Sequence, residues 1–251
     1  KTAYEIYQCD WSSDVCSSDL YWFLYPLNQI RRSKLIESGL FKTPSLVQEF
    51  PVPKPLVNIG VFTLLDHNTI LYATNRFKNP PLGDYQFAED KNNPPNRAYL
   101  KLWEALTILH KLPKKNDTVI DLGASPGGWT YVMQSLGAKV TAVDKALLDE
   151  RIMSLPNVMF KQGSAFAFEP TKLDKPVDWL LCDVACYPER LYNLVIRWIN
   201  ANKAKQMIIT IKLQGKVNHE TIDKFKSIPG SRLLHLNYNK HELTFFYPWC
   251  A

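Results

Sequence analysis

The run VIDLGASPGGW, residues 119–129, constrains this chain more than any other stretch. Thr118–Leu122 is short, apolar and β-branched, with one acid, Asp121, near its end, as expected of a buried strand in a parallel sheet. Gly123 follows, where backbone angles closed to other residues are open. Ser125 is a favoured helix N-cap and Pro126 suits a first helical position, so a helix is expected from Pro126 to Gly137. The free N–H groups of such a helix start attract an anionic group, for example a carboxylate.

A strand, glycine turn and helix can hold two kinds of nucleotide ligand. A dinucleotide site requires G-x-G-x-x-G, but Ser125 occupies the second glycine position. The next β-branched run, Lys139–Asp144, ends in a carboxylate 23 residues after Asp121. That is close to the spacing of about 20 at which an acid meets a ribose. Together they predict a nucleoside cofactor without a pyrophosphate, of which S-adenosylmethionine is the obvious instance.

Beyond this stretch the chain alternates. A helix is expected over 97–111, with Asn96 as a possible cap. Strands are expected at 118–123, 139–144, 157–162, 179–184 and 207–213. Helices are expected at 188–202, with Leu191, Leu194, Val195, Trp198 and Ile199 on one face, and at 218–227. Residues 233–238 and 243–247 read as a closing β-pair. This pattern predicts an α/β, doubly wound sheet with ligands at the strands' carboxyl ends.

Residues 1–92 read as a small β-rich N-terminal region and 93–251 as the main domain. The region carries aromatic and β-branched runs at 21–27 and 56–73, with a hairpin over 61–73. Pro51, Pro53 and Pro55 stiffen the approach to the hairpin, and Pro80, Pro81, Pro94 and Pro95 punctuate the way to the main domain. Residues 10–20 repeat Ser-Ser-Asp in a polar string unlike its surroundings and resemble a translated sequencing adapter, so they are read as an artefact. The chain starts at Lys1, which suggests a fragment or processed product.

A net charge of +6 permits a polyanionic partner without requiring one. No apolar run is long enough to span a bilayer, so no membrane is expected. Five cysteines (Cys9, Cys16, Cys182, Cys186, Cys250) form no even framework, and reduced cytoplasmic thiols are expected. Cys182 and Cys186 lack companion ligands, and His67, His110, His219, His235 and His241 show no metal spacing, so no metal is expected. Lys111, Lys114, Lys115, Lys203 and Lys205 form short basic clusters, read as solvated loops or as phosphate contacts.

Asp183, Lys212 and Glu242 stand where apolar runs begin or give out. Lys101 shares a helical stripe with Ala98, Ala105 and Ile108. Periodicity alone favours a lysine snorkelling at a face edge. Convergence of all four over one cleft would mean more. Methyl transfer to an alcohol needs the hydroxyl proton removed, and an ordinary lysine, with a pKa of about 10.4, is charged at neutral pH. A neighbouring ammonium and partial desolvation push that value down. In such a cleft Lys101 would supply the like charge, while Asp183 and Glu242 would position the ammonium groups.

The segments NPPNRAYLKL (93–102), DLGASPGGW (121–129), LCD (181–183), IKL (211–213) and Glu242 resemble the pattern of the FtsJ/RrmJ-like ribosomal RNA ribose 2′-O-methyltransferases, and most of all their RlmM-type branch. The resemblance covers roughly residues 57–248. It implies a Rossmann-like methyltransferase fold, with a seven-stranded, mostly parallel sheet whose last strand is antiparallel. It implies Lys101, Asp183, Lys212 and Glu242 as a catalytic tetrad, with Lys212 as base. It implies S-adenosyl-L-methionine over Asp121, Gly123, Ser125, Gly127, Gly128, Trp129 and Asp183, with Asp144 near the ribose. Ser164 stands where such enzymes often carry an acid close to the adenine. The partner implied is RNA, of the large ribosomal subunit, and the RlmM-type branch carries a longer N-terminal RNA-binding region than is found here.

Two other readings share parts of this sequence. A methyltransferase acting on a small molecule or protein would keep the glycine turn without needing both Lys101 and Lys212. A non-catalytic RNA-binding module would keep the fold and lose the cofactor.

Overall fold

The computed structural model describes residues 21–40, 47–51, 59–73, 85–213 and 219–249. The suspected artefact at 10–20, Cys9, Cys16, Cys250, Pro53, Pro55, Pro80 and Pro81 lie outside the described residues. The chain divides into two compact units, 1–88 and 89–251.

In the first unit, β1 (Tyr21–Leu24) runs parallel to β3 (Ile59–Leu64), which pairs with β4 (Ile70–Ala73) in the expected hairpin. Asp66 makes the turn, its Oδ1 accepting from the N–H groups of Asn68 and Thr69, both at 2.8 Å. Two-residue strands β2 (Val47–Gln48) and β5 (Gln86–Phe87) pair separately. The expected β-rich region also holds a helix, α1 (Ile30–Leu40). Its periodic signal is faint because it buries little apolar surface: Ser33 is fully buried, while Ile36 packs on Trp22, Leu24 and Phe62.

The second unit contains α2 (Tyr99–Leu109), β6 (Thr118–Leu122), α3 (Gly128–Ser135), β7 (Lys139–Asp144) and α4 (Glu150–Met153). There follow β8 (Val158–Gln162), β9 (Val177–Cys182), α5 (Pro188–Ala201), β10 (Ala204–Lys212), α6 (His219–Lys226), β11 (Arg232–Leu234) and β12 (Glu242–Tyr247). They build a seven-stranded sheet in the order β11-β12-β10-β9-β6-β7-β8. β6 to β10 are parallel, and β12 is antiparallel to both neighbours. This is the Rossmann-like methyltransferase fold.

Residues 89–93 bind to this unit. Arg97 pairs with Glu89 at 2.6 Å, Asp90 accepts from Asn93 and from the Tyr131 hydroxyl, and Arg151 donates to the Asn92 carbonyl. Leu191, Leu194, Val195 and Trp198 of α5 are buried against the sheet, with Ile199 at the margin of the same cluster. Among the described residues no helix is long and apolar enough to cross a membrane.

Chain order places the site. β6, β7 and β8 run outward in one direction, and β9 then returns to the other side of β6. Ligands of open α/β sheets settle at such a reversal, at the strands' carboxyl ends. Gly123 leaves β6 and Asp183 leaves β9 side by side, the Asp183 N–H donating to the Leu122 carbonyl at 3.3 Å.

Candidate active site

The turn after β6 departs from its sequence-based expectation. The helix begins at Gly128, and its N-cap is Gly127, with φ +115° and no side-chain cap. Ser125 is therefore not the cap. Its hydroxyl donates to the Leu147 carbonyl at 2.8 Å and its N–H to Asp144 Oδ2 at 3.0 Å. The left-handed Gly127 delays the helix by two residues beyond Pro126. Gly123 has φ +76°, and a Cβ there would lie 2.9 Å from the backbone of Val184, so the β6 turn and the β9 exit touch through a glycine.

Asp144 spends both oxygens on backbone N–H groups, Oδ2 on Ser125 and Oδ1 on Ala146. Trp129 is a core residue, 4% exposed, whose Nε1 donates to the Ala98 carbonyl at 2.9 Å and ties α3 to the start of α2. Asn96 Oδ1 accepts from the Ala98 N–H at 3.1 Å, but the N-cap of α2 is Ala98, with no side-chain cap, so the expected Asn96 cap lies two residues ahead of the helix boundary. Ser164 caps a short 3-10 turn by accepting from Phe166 N–H, and it lines a cleft of about 320 Å³ with Val143, Gln162, Gly163 and Phe168. None of the four candidate catalytic residues lines that cleft.

Asp121 is 1% exposed. Its Oδ2 accepts from the Thr130 hydroxyl at 2.7 Å, and its Oδ1 has no partner among the described residues. Burial pushes its carboxyl up to about 7, with Thr130 opposing and Asp183 and Asp144 adding to the rise.

The four isolated charges meet. Lys101 Nζ lies 2.9 Å from Asp183 Oδ2 and 2.9 Å from Glu242 Oε2. Lys212 Nζ lies 3.3 Å from Asp183 Oδ1 and 3.9 Å from Glu242 Oε1. Two amines and two carboxylates alternate around a ring, so that each amine faces two carboxylates and each carboxylate two amines. Each element brings one member: α2 Lys101, the β9 exit Asp183, the end of β10 Lys212 and the start of β12 Glu242. Register sets the last two, because Lys212 and Glu242 are directly opposite in the β10–β12 ladder.

Lys101 is thus not a snorkelling side chain. Its side chain is 12% exposed and its ammonium is held by two carboxylates. Burial favours the neutral amine, but the carboxylates of Asp183 and Glu242 outweigh it and hold the Lys101 ammonium above the ordinary lysine value.

The basic clusters stand at the far end of the sheet. Lys114 and Lys115 precede β6, and Lys203 and Lys205 flank the start of β10. Lys111 donates to Gln206, Lys203 to the Leu173 carbonyl, and Lys205 pairs with Asp178. For Lys111, Lys203 and Lys205 these internal partners favour a structural reading over phosphate contacts.

One residue of the site escaped sequence reasoning. Glu104 is 1% exposed, and its oxygens accept from the N–H groups of Asn237 (2.7 Å) and Tyr238 (2.9 Å), just upstream of Glu242. The signal was present, since Lys101 and Glu104 are the only charged residues of α2 and stand three apart, on one face.

Comparison with known proteins shows what the chain is similar to. The family model of the FtsJ-like methyltransferases matches residues 94–228. Ribosomal RNA large subunit methyltransferase M of Azoarcus sp. is 32% identical over 148 residues, covering 57% of this chain and 40% of the relative. The protein of the same name from Shewanella pealeana is 28% identical over 195 residues, covering 74% and 53%. This chain spans about half the length of these curated relatives, or less. A Streptococcus mutans structure solved in complex with SAH aligns at 16% identity and a TM-score of 0.42, over 60% of this chain and 98% of that one. With the family match extending over more than half of its residues, the chain belongs to the FtsJ-like methyltransferase family.

Proposed function

We propose that this chain transfers a methyl group from S-adenosyl-L-methionine to a ribose 2′-hydroxyl of RNA, specifically large-subunit ribosomal RNA. The observation that carries the reading is the convergence of Lys101, Asp183, Lys212 and Glu242 at the sheet's carboxyl end, next to the Gly123 turn. A methyl transfer that needed only proximity would have no use for two half-buried amines and two half-buried acids.

The turn fits the cofactor. Gly123 and Gly127 leave backbone open to close approach, and α3 begins with N–H groups that no side chain caps, suited to a carboxylate. We assign the cofactor to Asp121, Gly123, Ser125, Gly127, Gly128, Trp129 through its backbone, Asp144, Ser164 and Asp183. When bound, S-adenosylmethionine supplies a sulfonium-activated methyl. Lys212, the less tightly paired amine, accepts the proton of the 2′-hydroxyl as that oxygen attacks. Lys101 stays an ammonium and holds Asp183 and Glu242 in place. Asp183 bridges the two amines, so that a proton arriving on Lys212 is compensated at once.

The relatives' names supply the substrate class, ribosomal RNA of the large subunit. The test is incubation of the protein with methyl-labelled S-adenosylmethionine and unmodified ribosomal RNA. Label on ribose that disappears in Lys212→Ala, with cofactor affinity kept, is the expected result. Label on a base, undiminished label in Lys212→Ala, or cofactor binding with no RNA labelling would each overturn the assignment. Cofactor binding without RNA labelling would favour a small-molecule or protein substrate. RNA binding without cofactor would mark a binding module.

A further inference from the structure

β-sheet register explains why Lys212 faces Glu242, but not why Lys101, 141 residues earlier in the chain, sits 2.9 Å from the same carboxylate. α2 is not a strand, and no ladder fixes its height over β12. Glu104 supplies the missing restraint. It follows Lys101 by one helical turn on the same face of α2 and is buried. Its two oxygens take two consecutive backbone N–H groups, Asn237 at 2.7 Å and Tyr238 at 2.9 Å. Both donors lie in the β11–β12 connection, five and four residues before Glu242.

That connection is tied at further points. Asn239 is buried and donates to the Thr244 hydroxyl at 3.0 Å, and Leu213 N–H donates to the His241 carbonyl at 2.8 Å. The segment therefore passes a displacement at Asn237 on to Glu242 with little slack. One end of the helical turn 101–104 holds the segment's backbone, and the other end holds its catalytic carboxylate.

We propose that Glu104 is a positioning residue of the tetrad: by clasping the Asn237 and Tyr238 N–H groups it sets the Lys101–Glu242 separation and thereby the charge surroundings of Lys212. This rests on reading the tetrad as the catalytic centre. Glu104 itself touches no reacting atom.

Glu104→Gln tests the clasp at nearly constant volume. The amide oxygen can accept one N–H, while the amide NH2 faces the other donor and opens that contact. Turnover in the ribose-labelling assay is expected to fall about 10- to 100-fold, the scale of a small misplacement of catalytic groups. Cofactor Kd and RNA KM should change less than about threefold, as for an interaction felt only in the transition state. In the protein without cofactor, NMR of the lysine ammonium groups should show Lys101 titrating at lower pH than in the wild type, because it loses one of its two carboxylates. Glu104→Asp keeps the charge with a shorter reach and should recover part of both readouts. If Glu104→Gln does not fold, Glu104→Asp carries the test alone, with a smaller shift of the same sign.

Wild-type turnover and an unchanged Lys101 titration in the Gln variant would overturn the proposal. So would a turnover loss that merely tracks the folded fraction. Failure of the wild type to label ribose would defeat the assigned activity instead, and the lysine titration would still decide whether Glu104 sets the pair.

Discussion

Replacing Asp121 by Asn removes one ionisable group from the middle of the sheet and leaves its shape. The carboxyl is 1% exposed, and burial raises it from its ordinary 3.8 to about 7. A pKa higher in the folded than in the unfolded state means that the native protein holds the proton more tightly. The stability this contributes is fully present below pH 3.8 and is lost as pH rises through about 7. The interval is about three pH units, and at about 1.4 kcal/mol per unit it corresponds to roughly 4 kcal/mol. The group is buried, so solvent screening takes little from this figure. Asn carries no such proton, and its oxygen can still accept from the Thr130 hydroxyl. Urea unfolding of both proteins in half-unit pH steps isolates the effect, because most other titrations cancel in the difference. Relative to wild type, Asp121→Asn should gain roughly 3 kcal/mol between pH 5 and pH 8, the part of the interval accessible without acid denaturation. A difference that stays constant across that range would refute the argument, as would a variant less stable than wild type at pH 8.

Three further outcomes follow from the same geometry. Lys101→Met leaves Asp183 and Glu242 with Lys212 alone, at 3.3 and 3.9 Å, and should cost roughly 3 kcal/mol in urea unfolding at pH 7. A variant as stable as wild type would mean that the Lys101 charge holds nothing in place. Gly123→Ala places a Cβ against Val184 at a φ of +76°, so it should destabilise by roughly 1–3 kcal/mol and abolish S-adenosylmethionine binding in calorimetry. Wild-type affinity in that variant would remove the turn from the cofactor site. Changing Lys114 and Lys115 together to Ala, at the amino end of β6, should leave both RNA affinity and the slope of its salt dependence unaltered. A shallower slope would put RNA at that end of the sheet.

Much of the second unit was legible along the chain because its signals are local. Runs such as Lys139–Asp144 and the apolar face of α5 declare strand and helix within a dozen residues. The misread places are those where a distant partner decides. Ser125 has the chemistry of a cap, yet its hydroxyl answers to Leu147, and the helix waits for Gly127. α1 buries Ser33 and half-buries Ile36, too little apolar surface for periodicity to register. Lys101 looked like a residue at the rim of an apolar stripe because both of its carboxylates come from much later in the sequence.

The order of residues alone determined that there would be a glycine turn behind a buried strand, a parallel sheet alternating with helices, three charges at the ends of apolar runs and a fourth on a helical stripe. Only the folded chain decided that these charges close into one ring, that Glu104 on the helix of one accepts from the connection that leads into the strand of another, and that Asp121 keeps an unpaired oxygen in the core. The reason is physical. Hydrophobic period and turn chemistry act over a few residues and can be read in sequence. A carboxylate's partner, its burial and its proton affinity depend on the groups that strand order and register bring within hydrogen-bonding distance from far along the chain.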